Sequence, residues 1–394
     1  MRPMIYKVHQ PRLDTKHSSS RRSWPALLNA LGVLLLLVHC AWMPPGHGFE
    51  PLAEPAADFD RLFQRLGDGW TGGDGTLSIL LPDGRSVWLF GDTLLGTIAA
   101  NNTRAADTPF IHNCLVAQDR QQLTTLYRSD GGVPSAFFSP PIGPGWFWPG
   151  DGLVTANQLL LFLHYFEPQG SDLWSWRWRG TMIATLSLPD LQWIATDPAP
   201  GADHILYGVS ILQTEEFTYI YGADDQPFPK HAHVAKALPG RIKDPWRYFS
   251  SQGWSADPRA TSSILTGVSA QYSVIQRQGF FFLFTMDGRE PFSNLLVAYR
   301  ALSPSGPWQG PVKLYQAPEA KGDIVAYNPF AHTQFSDQNK ILISYNLNHI
   351  SDATSLFRDA SIYRPRFVRI RIPAMEQQFD AMAGGPTPKF QGTE

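Results

Sequence analysis

Short apolar runs recur along the chain, and each follows a polar or glycine-containing segment. The runs are Val87–Phe90, Gln158–Leu163, Thr218–Tyr221, Phe280–Thr285 and Lys340–Tyr345. Apolar runs of this length, bounded by turn residues, predict β-strands. The repeat is about 57 to 77 residues long, which leaves room for several strands in each unit. This pattern predicts the blades of a β-propeller.

A polar landmark precedes each apolar run. The landmarks are Gly72-Gly73-Asp74, Trp148-Pro149-Gly150-Asp151, Glu215-Glu216, Tyr272-Ser273 and Phe330-Ala331-His332. A propeller gathers the equivalent positions of all its blades around one central cavity. We therefore predict that these segments, which are remote in sequence, contribute to one site.

Three further segments refine the prediction. Asp58–Leu66 places its apolar residues at helical spacing and predicts a short amphipathic helix that lies against the propeller. Leu77–Leu81, a turn and Val87–Phe90 predict a β-hairpin. Phe367–Ile372 predicts a last strand that completes the first blade and closes the ring, so that no long edge stays exposed.

These elements predict an all-β fold, a five-bladed β-propeller with a short N-terminal helix. We assign residues 1–45 to a signal peptide or N-terminal membrane anchor and 46–66 to a linker and the helix. Residues 67–372 form the propeller, and 373–394 are expected to be a flexible tail. Composition agrees, since 33 Gly and 33 Pro suit many turns and few long helices.

The N-terminal segment predicts export. A polar and basic stretch is followed by the almost purely apolar Ala26–Val38, which is typical of a signal-peptide core and short for a membrane span. The protein is expected to be secreted, periplasmic or envelope-anchored, and to contact a membrane only through this segment. Cys40 stands where a lipoprotein box would place it, although His39 is bulkier than the residue expected there. Cleavage, lipidation and retention remain alternatives.

Charge and cysteine content exclude several classes of function. Beyond Cys40 the chain holds 26 Lys and Arg against 33 Asp and Glu, which argues against nucleic acid as a partner. Cys114 is the one cysteine left there, so no intrachain disulfide forms in the mature domain, and a buried thiol is expected. His231 and His233 have no third ligand nearby in sequence, so we predict no metal site, with calcium on the propeller axis as the alternative.

Asp74 and Asp92 are the candidate catalytic residues. Each stands beside glycine, and the two are separated by one predicted hairpin, which could bring both carboxyl groups to the same mouth of the cavity. Two carboxyl groups, one ionised and one protonated, are the minimum for glycosidic cleavage. The alternative is that both side chains only accept hydrogen bonds from turn amides.

Candidate substrate-binding residues lie at the other landmarks. Aromatic faces stack on sugar rings and acids bind hydroxyl groups, which points to Trp148 and Asp151. Alternation along a strand would turn one of Glu215 and Glu216 toward the cavity, and we favour Glu215. The remaining candidates are His332, Tyr272 and Arg364. The alternative for Trp148 is that it packs between blades. The alternative for His332 is that it is a buried core histidine.

Several of these motifs resemble a known family. Four segments carry this resemblance, namely Gly72–Gly75, Trp88–Thr93, Trp148–Gly152 and Tyr363–Val368. Through them the chain resembles bacterial domain-of-unknown-function family 4185, which is related to the endo-D-arabinanases. The resemblance spans roughly residues 67–372. It implies a five-bladed propeller and, in the characterised branch, glycoside hydrolysis by acids of the first blade, whose positions Asp74 and Asp92 match. The chain departs from the family at His112-Asn113-Cys114, where relatives tend to have Asn-Ser.

The sequence therefore predicts a monomeric glycoside hydrolase acting on a bacterial or environmental polysaccharide, with arabinan as one example. A non-catalytic glycan-binding propeller at the cell envelope is the alternative, and it would use the same acidic and aromatic cleft. A scaffold for protein partners is a third reading, and it would need an exposed apolar patch away from the cleft.

Overall fold

The computed structural model describes residues 51–170 and 175–384, and within them the fold is all-β. The chain forms five antiparallel sheets of four to six strands, which we number 1 to 5. The strands of each sheet are given from one edge, so that the first strand is Leu77–Leu80 in sheet 1 and Ile324–His332 in sheet 5. Sheet 1 consists of Leu77–Leu80, Ser86–Phe90, Cys114–Asp119 and Gln122–Leu126. Sheet 2 consists of Trp146–Thr155, Gln158–Pro168, Trp176–Ser187 and Trp193–Pro198.

The remaining large sheets have the same up-and-down order. Sheet 3 consists of Ile205–Gln213, Thr218–Asp224, Lys230–Ala237, Arg247–Ser250 and Gly253–Ser255, with Leu265–Val268 paired to its third strand. Sheet 4 consists of Ser273–Arg277, Phe280–Met286, Leu295–Ala301 and Gln309–Gln316. Sheet 5 consists of Ile324–His332, Lys340–His349, Arg366–Arg371 and Ala53–Pro55.

The described residues also form smaller elements outside the five large sheets. A small sheet is formed by Trp70–Gly73, Thr93–Leu95 and Phe110–Ile111, and a hairpin by Arg128–Asp130 and Val133–Ser135. The α-helices are Ala57–Leu62, Ser355–Arg358 and Ile372–Met382, and two 3₁₀ turns lie at Pro258–Ala260 and Thr333–Phe335. In the part of the chain described, no helix is long and apolar enough to span a membrane.

The apolar runs of the sequence form the second strand of each large sheet. Four of these strands begin at the residue where the predicted run begins, namely Gln158, Thr218, Phe280 and Lys340. The predicted hairpin is also confirmed, because Leu77–Leu80 pairs antiparallel with Ser86–Phe90. Second strands are covered on both faces by neighbouring sheets, which explains why they read as nearly continuous apolar segments.

Neighbouring sheets share hydrophobic cores. The first strands of sheets 1 to 5 contact one another in numerical order, and the first strand of sheet 5 contacts that of sheet 1. Each of the five contacts between sheets has its own buried cluster. Between sheets 5 and 1 this cluster contains Trp88, Leu342 and Phe367, and the helix Ala57–Leu62 brings Phe63 onto it.

Polar bridges join the same first strands. The Ile211 amide donates to Asp151 Oδ2 at 2.7 Å, the Val274 amide to Ser210 Oγ at 3.0 Å, and the Ala331 amide to Ser273 Oγ at 2.9 Å. Sheets 5 and 1 are joined by His332 Nδ1, which lies 2.6 Å from Ser78 Oγ. The three bridges from backbone amides satisfy groups that would otherwise be buried without partners.

Three expectations about the chain ends need correction. Arg366–Arg371 pairs with Lys340–Tyr345 inside sheet 5, so this strand does not complete the first blade. Instead, Ala53–Pro55, which we expected to be linker, joins the outer edge of sheet 5. The tail expected to be flexible from residue 373 forms the helix Ile372–Met382, because Met375 and Phe379 lie on one helix face and are fully buried. Residues 1–45, which we predicted to be a signal peptide or membrane anchor, lie outside the described residues, as do 46–50, 171–174 and 385–394.

Candidate functional site

The candidate site lies where sheet 1 meets the small sheet. Three strands of sheet 1 are each continued by a strand of the small sheet, with a short break between the two. These breaks lie at residues 74–76, 91–92 and 112–113, and we call the three breaks together the seam. Asp74, Asp92 and His112 each occupy one of these breaks. The three breaks are brought side by side because the strands on either side of them are paired in register.

Backbone hydrogen bonds fix the two acidic breaks against each other. The Gly91 amide donates to the Asp74 carbonyl at 2.8 Å, and the Asp74 amide donates to the Asp92 carbonyl at 3.3 Å. A Cβ atom on Gly91 would lie 2.8 Å from Asp74 Oδ1, so any larger residue there would displace that carboxyl group. Gly75 has a φ of +90°, which only glycine adopts without strain.

Two tyrosines hold the Asp74 carboxyl group. The Tyr327 hydroxyl donates to Asp74 Oδ2 at 2.8 Å, and the Tyr363 side chain makes a second hydrogen bond. Burial, followed by the nearby charge of Asp92, raises the pKa of Asp74 to about 7, although the two tyrosine hydrogen bonds act in the opposite direction. Asp74 therefore carries a proton for much of the time at neutral pH.

The backbone around these tyrosines is strained. Tyr363 itself has a φ of +67°, and Tyr327 precedes Asn328, whose φ is +50°. A bulge shifts the register of this strand between Tyr327 and Phe330. Bulky residues rarely adopt positive φ, and such conformations persist where the surrounding structure enforces them, often at functional sites.

Asp92 has a different set of partners. Its Oδ1 accepts a hydrogen bond from Trp148 Nε1 at 2.8 Å, and His112 Nδ1 lies 2.8 Å from the same oxygen. The His112 ring stacks on Trp146, with centroids 4.7 Å apart and planes inclined by 15°. The Asp92 side chain is 21% exposed and that of His112 40%, so both are open to solvent.

The seam thus combines two neighbouring carboxyl groups in unlike surroundings. Asp74 is desolvated and touched by hydroxyl groups, while Asp92 is partly exposed and held by nitrogen donors. Such a difference between paired acids is the usual way in which a site assigns one group to donate a proton and the other to act as carboxylate. The geometry suits acid–base or nucleophilic chemistry at one bond.

Asp151 was expected to bind hydroxyl groups, but its carboxyl oxygens are engaged elsewhere. Oδ1 accepts the Gly152 amide and Oδ2 accepts the Ile211 amide, both at 2.7 Å. The residue is 5% exposed, and this burial raises its pKa to about 7. Asp151 is therefore a link between sheets 2 and 3.

Glu215 and Glu216 are not brought to the seam. Both are exposed in the turn between Gln213 and Thr218, which is closed by a hydrogen bond of 2.9 Å from the Thr214 amide to the Phe217 carbonyl. Strand alternation does not apply to a turn, so the expectation that Glu215 faces the cavity was wrong. Tyr272 is fully buried, and its hydroxyl donates to the Gly222 carbonyl at 2.7 Å.

His332 and Arg364 also have structural partners. His332 is fully buried between Ser78 Oγ and Ser344 Oγ, and burial lowers its pKa to about 3, so the ring is neutral. Arg364 donates from Nε to the Thr71 carbonyl at 3.0 Å, behind the strand that leads to Asp74. Of the predicted residues, the structure therefore brings together Asp74, Asp92 and Trp148.

Sequence reasoning missed His112, Tyr327 and Tyr363. His112 had a signal, because like Asp74 it directly follows a strand, and because it departs from the pattern of family 4185, which the sequence resembles. The tyrosines come from sheet 5 and the segment before its third strand, more than 250 residues from Asp74, and no local pattern marks them.

Among residues 51–170 and 175–384, no group of three or more His, Cys, Asp and Glu side chains could hold a metal ion. The absence of a metal, and the alternative of calcium on the propeller axis, both stay predictions. Two surface hollows, of about 340 Å³ beside Arg277 and about 440 Å³ beside Phe59, are lined by residues other than those of the seam.

Comparison with known proteins gives one family and a set of structures. The family model described as "Domain of unknown function (DUF5005)" matches residues 56–377. The resemblance to family 4185 stays a prediction. No curated protein sequence matches.

A crystal structure from Bacteroides ovatus, provisionally assigned as a hydrolase, is similar at a TM-score of 0.71 and 21% identity, covering 85% of this chain and 93% of that one. The two chains therefore share a fold. An α-L-arabinofuranosidase from Podospora anserina gives a TM-score of 0.45 at 12% identity, covering 81% and 94%. An endo-arabinanase from Bacillus licheniformis gives 0.41 at 10% identity, covering 77% and 94%. Because both of these TM-scores are low, no property of the arabinofuranosidase or of the endo-arabinanase is assigned to this chain.

Proposed function

This chain belongs to the family described as "Domain of unknown function (DUF5005)", and from that premise and the seam we propose that it is an exported glycoside hydrolase acting on a polysaccharide. The observation that carries the proposal is the pair Asp74 and Asp92. The two are neighbours on one hairpin, and their surroundings differ in the way that glycosidic cleavage requires.

We infer that the five sheets are the blades of a five-bladed β-propeller. Support comes from the contacts of the first strands, which run from sheet 1 through sheet 5 and back to sheet 1, and from the five buried clusters between sheets. In this arrangement the first strand of each blade lines the axis. Asp74 lies directly before the first strand of sheet 1, so the seam opens at the axial cleft.

Asp74 is the proposed general acid. With a pKa of about 7 it retains its proton near neutral pH, and it would deliver that proton to the glycosidic oxygen as the bond to the leaving sugar breaks. The hydrogen bonds from Tyr327 and Tyr363 fix the direction in which the carboxyl group points.

Asp92 is the proposed carboxylate partner. It would attack the anomeric carbon directly, or take a proton from the water that does so, and the anomeric configuration of the product distinguishes these routes. Trp148 Nε1 and His112 Nδ1 hold Oδ1, which leaves Oδ2 for the reaction. His112 is a positioning residue in this scheme.

The experiment is a search for new reducing ends. The purified protein is incubated with a panel of cell-wall and capsular glycans, arabinan included, alongside Asp74→Asn and Asp92→Asn. We expect one class of glycan to release reducing sugar with the wild-type protein and neither variant to do so, while the exposed Asp203→Asn serves as the matched control and keeps activity. Full activity in Asp92→Asn would remove that residue from the mechanism.

A non-catalytic glycan-binding protein is the second candidate. It is favoured by the aromatic rings of Trp146, Trp148 and Trp176 next to the seam, since these would bind sugar without any acid. Saturable binding to a polysaccharide, with no product after long incubation, would support this function in place of hydrolysis.

A further inference from the structure

An aromatic surface extends from Asp92 across one face of sheet 2. Trp148, Phe166 and Trp176 come from three adjacent strands, and their ring centroids lie 4.5 to 5.1 Å apart. Trp146 continues the surface, 5.7 Å from Trp148. We call these four residues the aromatic platform.

The platform is only partly covered. Phe166 is buried beneath it, Trp146 and Trp148 are partly exposed, and Trp176 at its outer end is 36% exposed. An aromatic side chain of this size normally finds a place in a core, so an open one that continues from a polar site indicates a surface for a ligand.

The polar groups around the platform fit a carbohydrate. Trp148 is fixed by its hydrogen bond to Asp92, which connects the platform to the acid pair. The Nε1 atom of Trp146 is buried and has no hydrogen-bond partner among the described residues, and the exposed His112 ring lies on the Trp146 face. Sugars present apolar C–H faces and hydroxyl edges, and they pair with rings that carry N–H donors.

The order of the rings indicates how many sugar units of the substrate the site would contact. Trp148 contacts Asp92, and Trp176 stands one ring further out, with its plane at 87° to that of Trp148. A sugar at the acid pair would therefore occupy the position beside Trp148. Only the next unit of the same chain would reach Trp176.

We propose that the aromatic platform is a carbohydrate subsite in which Trp176 binds the sugar unit next to the one held at the acid pair. The substrate is then a glycan chain of several units, and a simple glycoside is too short to use the site fully. This inference rests on the proposed function of the seam.

The test is a binding ladder. Arabinose and arabino-oligosaccharides, and in parallel xylose and xylo-oligosaccharides, are titrated from monosaccharide to hexasaccharide into the Asp74→Asn protein, which prevents turnover, with calorimetric detection. Affinity is expected to increase with length in one ladder. Trp176→Ala added to this background should weaken every oligosaccharide of two or more units about 3- to 10-fold and leave the monosaccharide, which is too short to reach Trp176, unchanged.

Two companion variants separate the subsite from folding. Trp176→Phe keeps an aromatic face and should restore most of the affinity. Trp254→Ala removes a tryptophan that packs against Lys236 and Phe249 in sheet 3, and it should leave affinity unchanged. Melting temperatures within a degree or two of each other would show that Trp176→Ala is folded.

Three results would overturn the proposal: equal affinity of Trp176→Ala and its parent at every length, affinity that does not increase with length, or no binding of either ladder. The two proposals fail separately. Length-dependent binding through Trp176 without cleavage by the wild-type protein refutes the hydrolase and keeps the subsite, whereas cleavage unaffected by Trp176→Ala refutes the subsite alone.

Discussion

Two Gly-Asp-Gly segments of this chain end in different surroundings. Asp74, between Gly73 and Gly75, is touched by tyrosine hydroxyl groups and lies beside Asp92. Asp151, between Gly150 and Gly152, accepts two backbone amides and joins sheets 2 and 3. Burial raises the pKa of both to about 7. The comparison teaches that a raised pKa does not identify a reactive acid, whereas its partners do.

The hydrogen-bond partners of Asp74 and Asp151 differ in whether they leave the carboxyl group able to react with a ligand. A carboxyl group that accepts two main-chain amides has its oxygens committed to the fold, and removing it leaves those amides unsatisfied. A carboxyl group that is held by side chains and lies next to a second, partly exposed acid can exchange a proton with a ligand. Asp74 is therefore expected to matter for activity and Asp151 for stability.

The largest expected effect is on catalysis. Replacing Asp74 by Asn should lower the rate of reducing-sugar release about 10²- to 10⁴-fold, because general acid catalysis is lost, while the melting temperature does not fall. Rates are measured on the glycan identified by the panel. Asp151→Asn serves as the comparison, and its rate per folded molecule should stay within a few-fold of the wild type. Equal losses in the two variants would erase the distinction between the acids.

The second effect is on stability. Asp151→Ala leaves the Ile211 and Gly152 amides without acceptors and should lower the free energy of unfolding by about 2 to 4 kcal/mol. Urea unfolding at pH 7 measures the change. Asp151→Asn keeps one acceptor oxygen and should lose less. An unchanged midpoint in Asp151→Ala would mean that the bridge contributes nothing to folding.

A smaller effect concerns the N–H donor on Asp92. Trp148→Phe keeps an aromatic ring and removes the hydrogen bond to Oδ1, so kcat/KM should fall about 10- to 100-fold, as expected for one hydrogen bond to a charged group. Steady-state kinetics on the same glycan give the value, and Trp254→Phe is the matched control. Wild-type kinetics in Trp148→Phe would show that the bond does not position Asp92.

The smallest effect is a dependence of stability on pH. A pKa raised from 3.8 to about 7 means that folded Asp74 binds its proton more tightly than the unfolded chain does. Its contribution to stability is therefore fully present below pH 3.8 and is lost as the pH rises through about 7. Asp74→Asn has no such loss, so the variant should gain stability relative to the wild type between pH 5 and pH 8. Urea midpoints across this range test the sign, and a constant difference would contradict it.

The strands could be predicted from the sequence because the pattern of apolar residues that marks them is local. The second strand of every large sheet is an apolar run, and the runs at Gln158, Thr218, Phe280 and Lys340 give the strand starts directly. Asp74, Asp92 and Trp148 were found because glycine and aromatic neighbours mark close approach of the backbone to a site.

What the sequence could not predict depends on contacts between remote segments. Tyr327 and Tyr363 reach Asp74 only through the contact between sheets 5 and 1. Glu215 and Glu216 fell in a turn where the alternation of a strand has no meaning. Asp151 repeats the motif of Asp74, and only the hydrogen bond from the Ile211 amide reveals its structural role.

The central claim is that Asp74 holds a proton near neutral pH because it is buried beside Asp92. Titration of ¹³C-labelled aspartate carboxyl groups by NMR, in the wild-type protein and in Asp92→Asn, tests this without any substrate. The Asp74 signal should titrate with a midpoint near pH 7 in the wild type and at a lower pH in Asp92→Asn, where the neighbouring charge is gone. A midpoint near pH 4 in the wild type, unchanged by Asp92→Asn, would contradict the assignment of Asp74 as the acid.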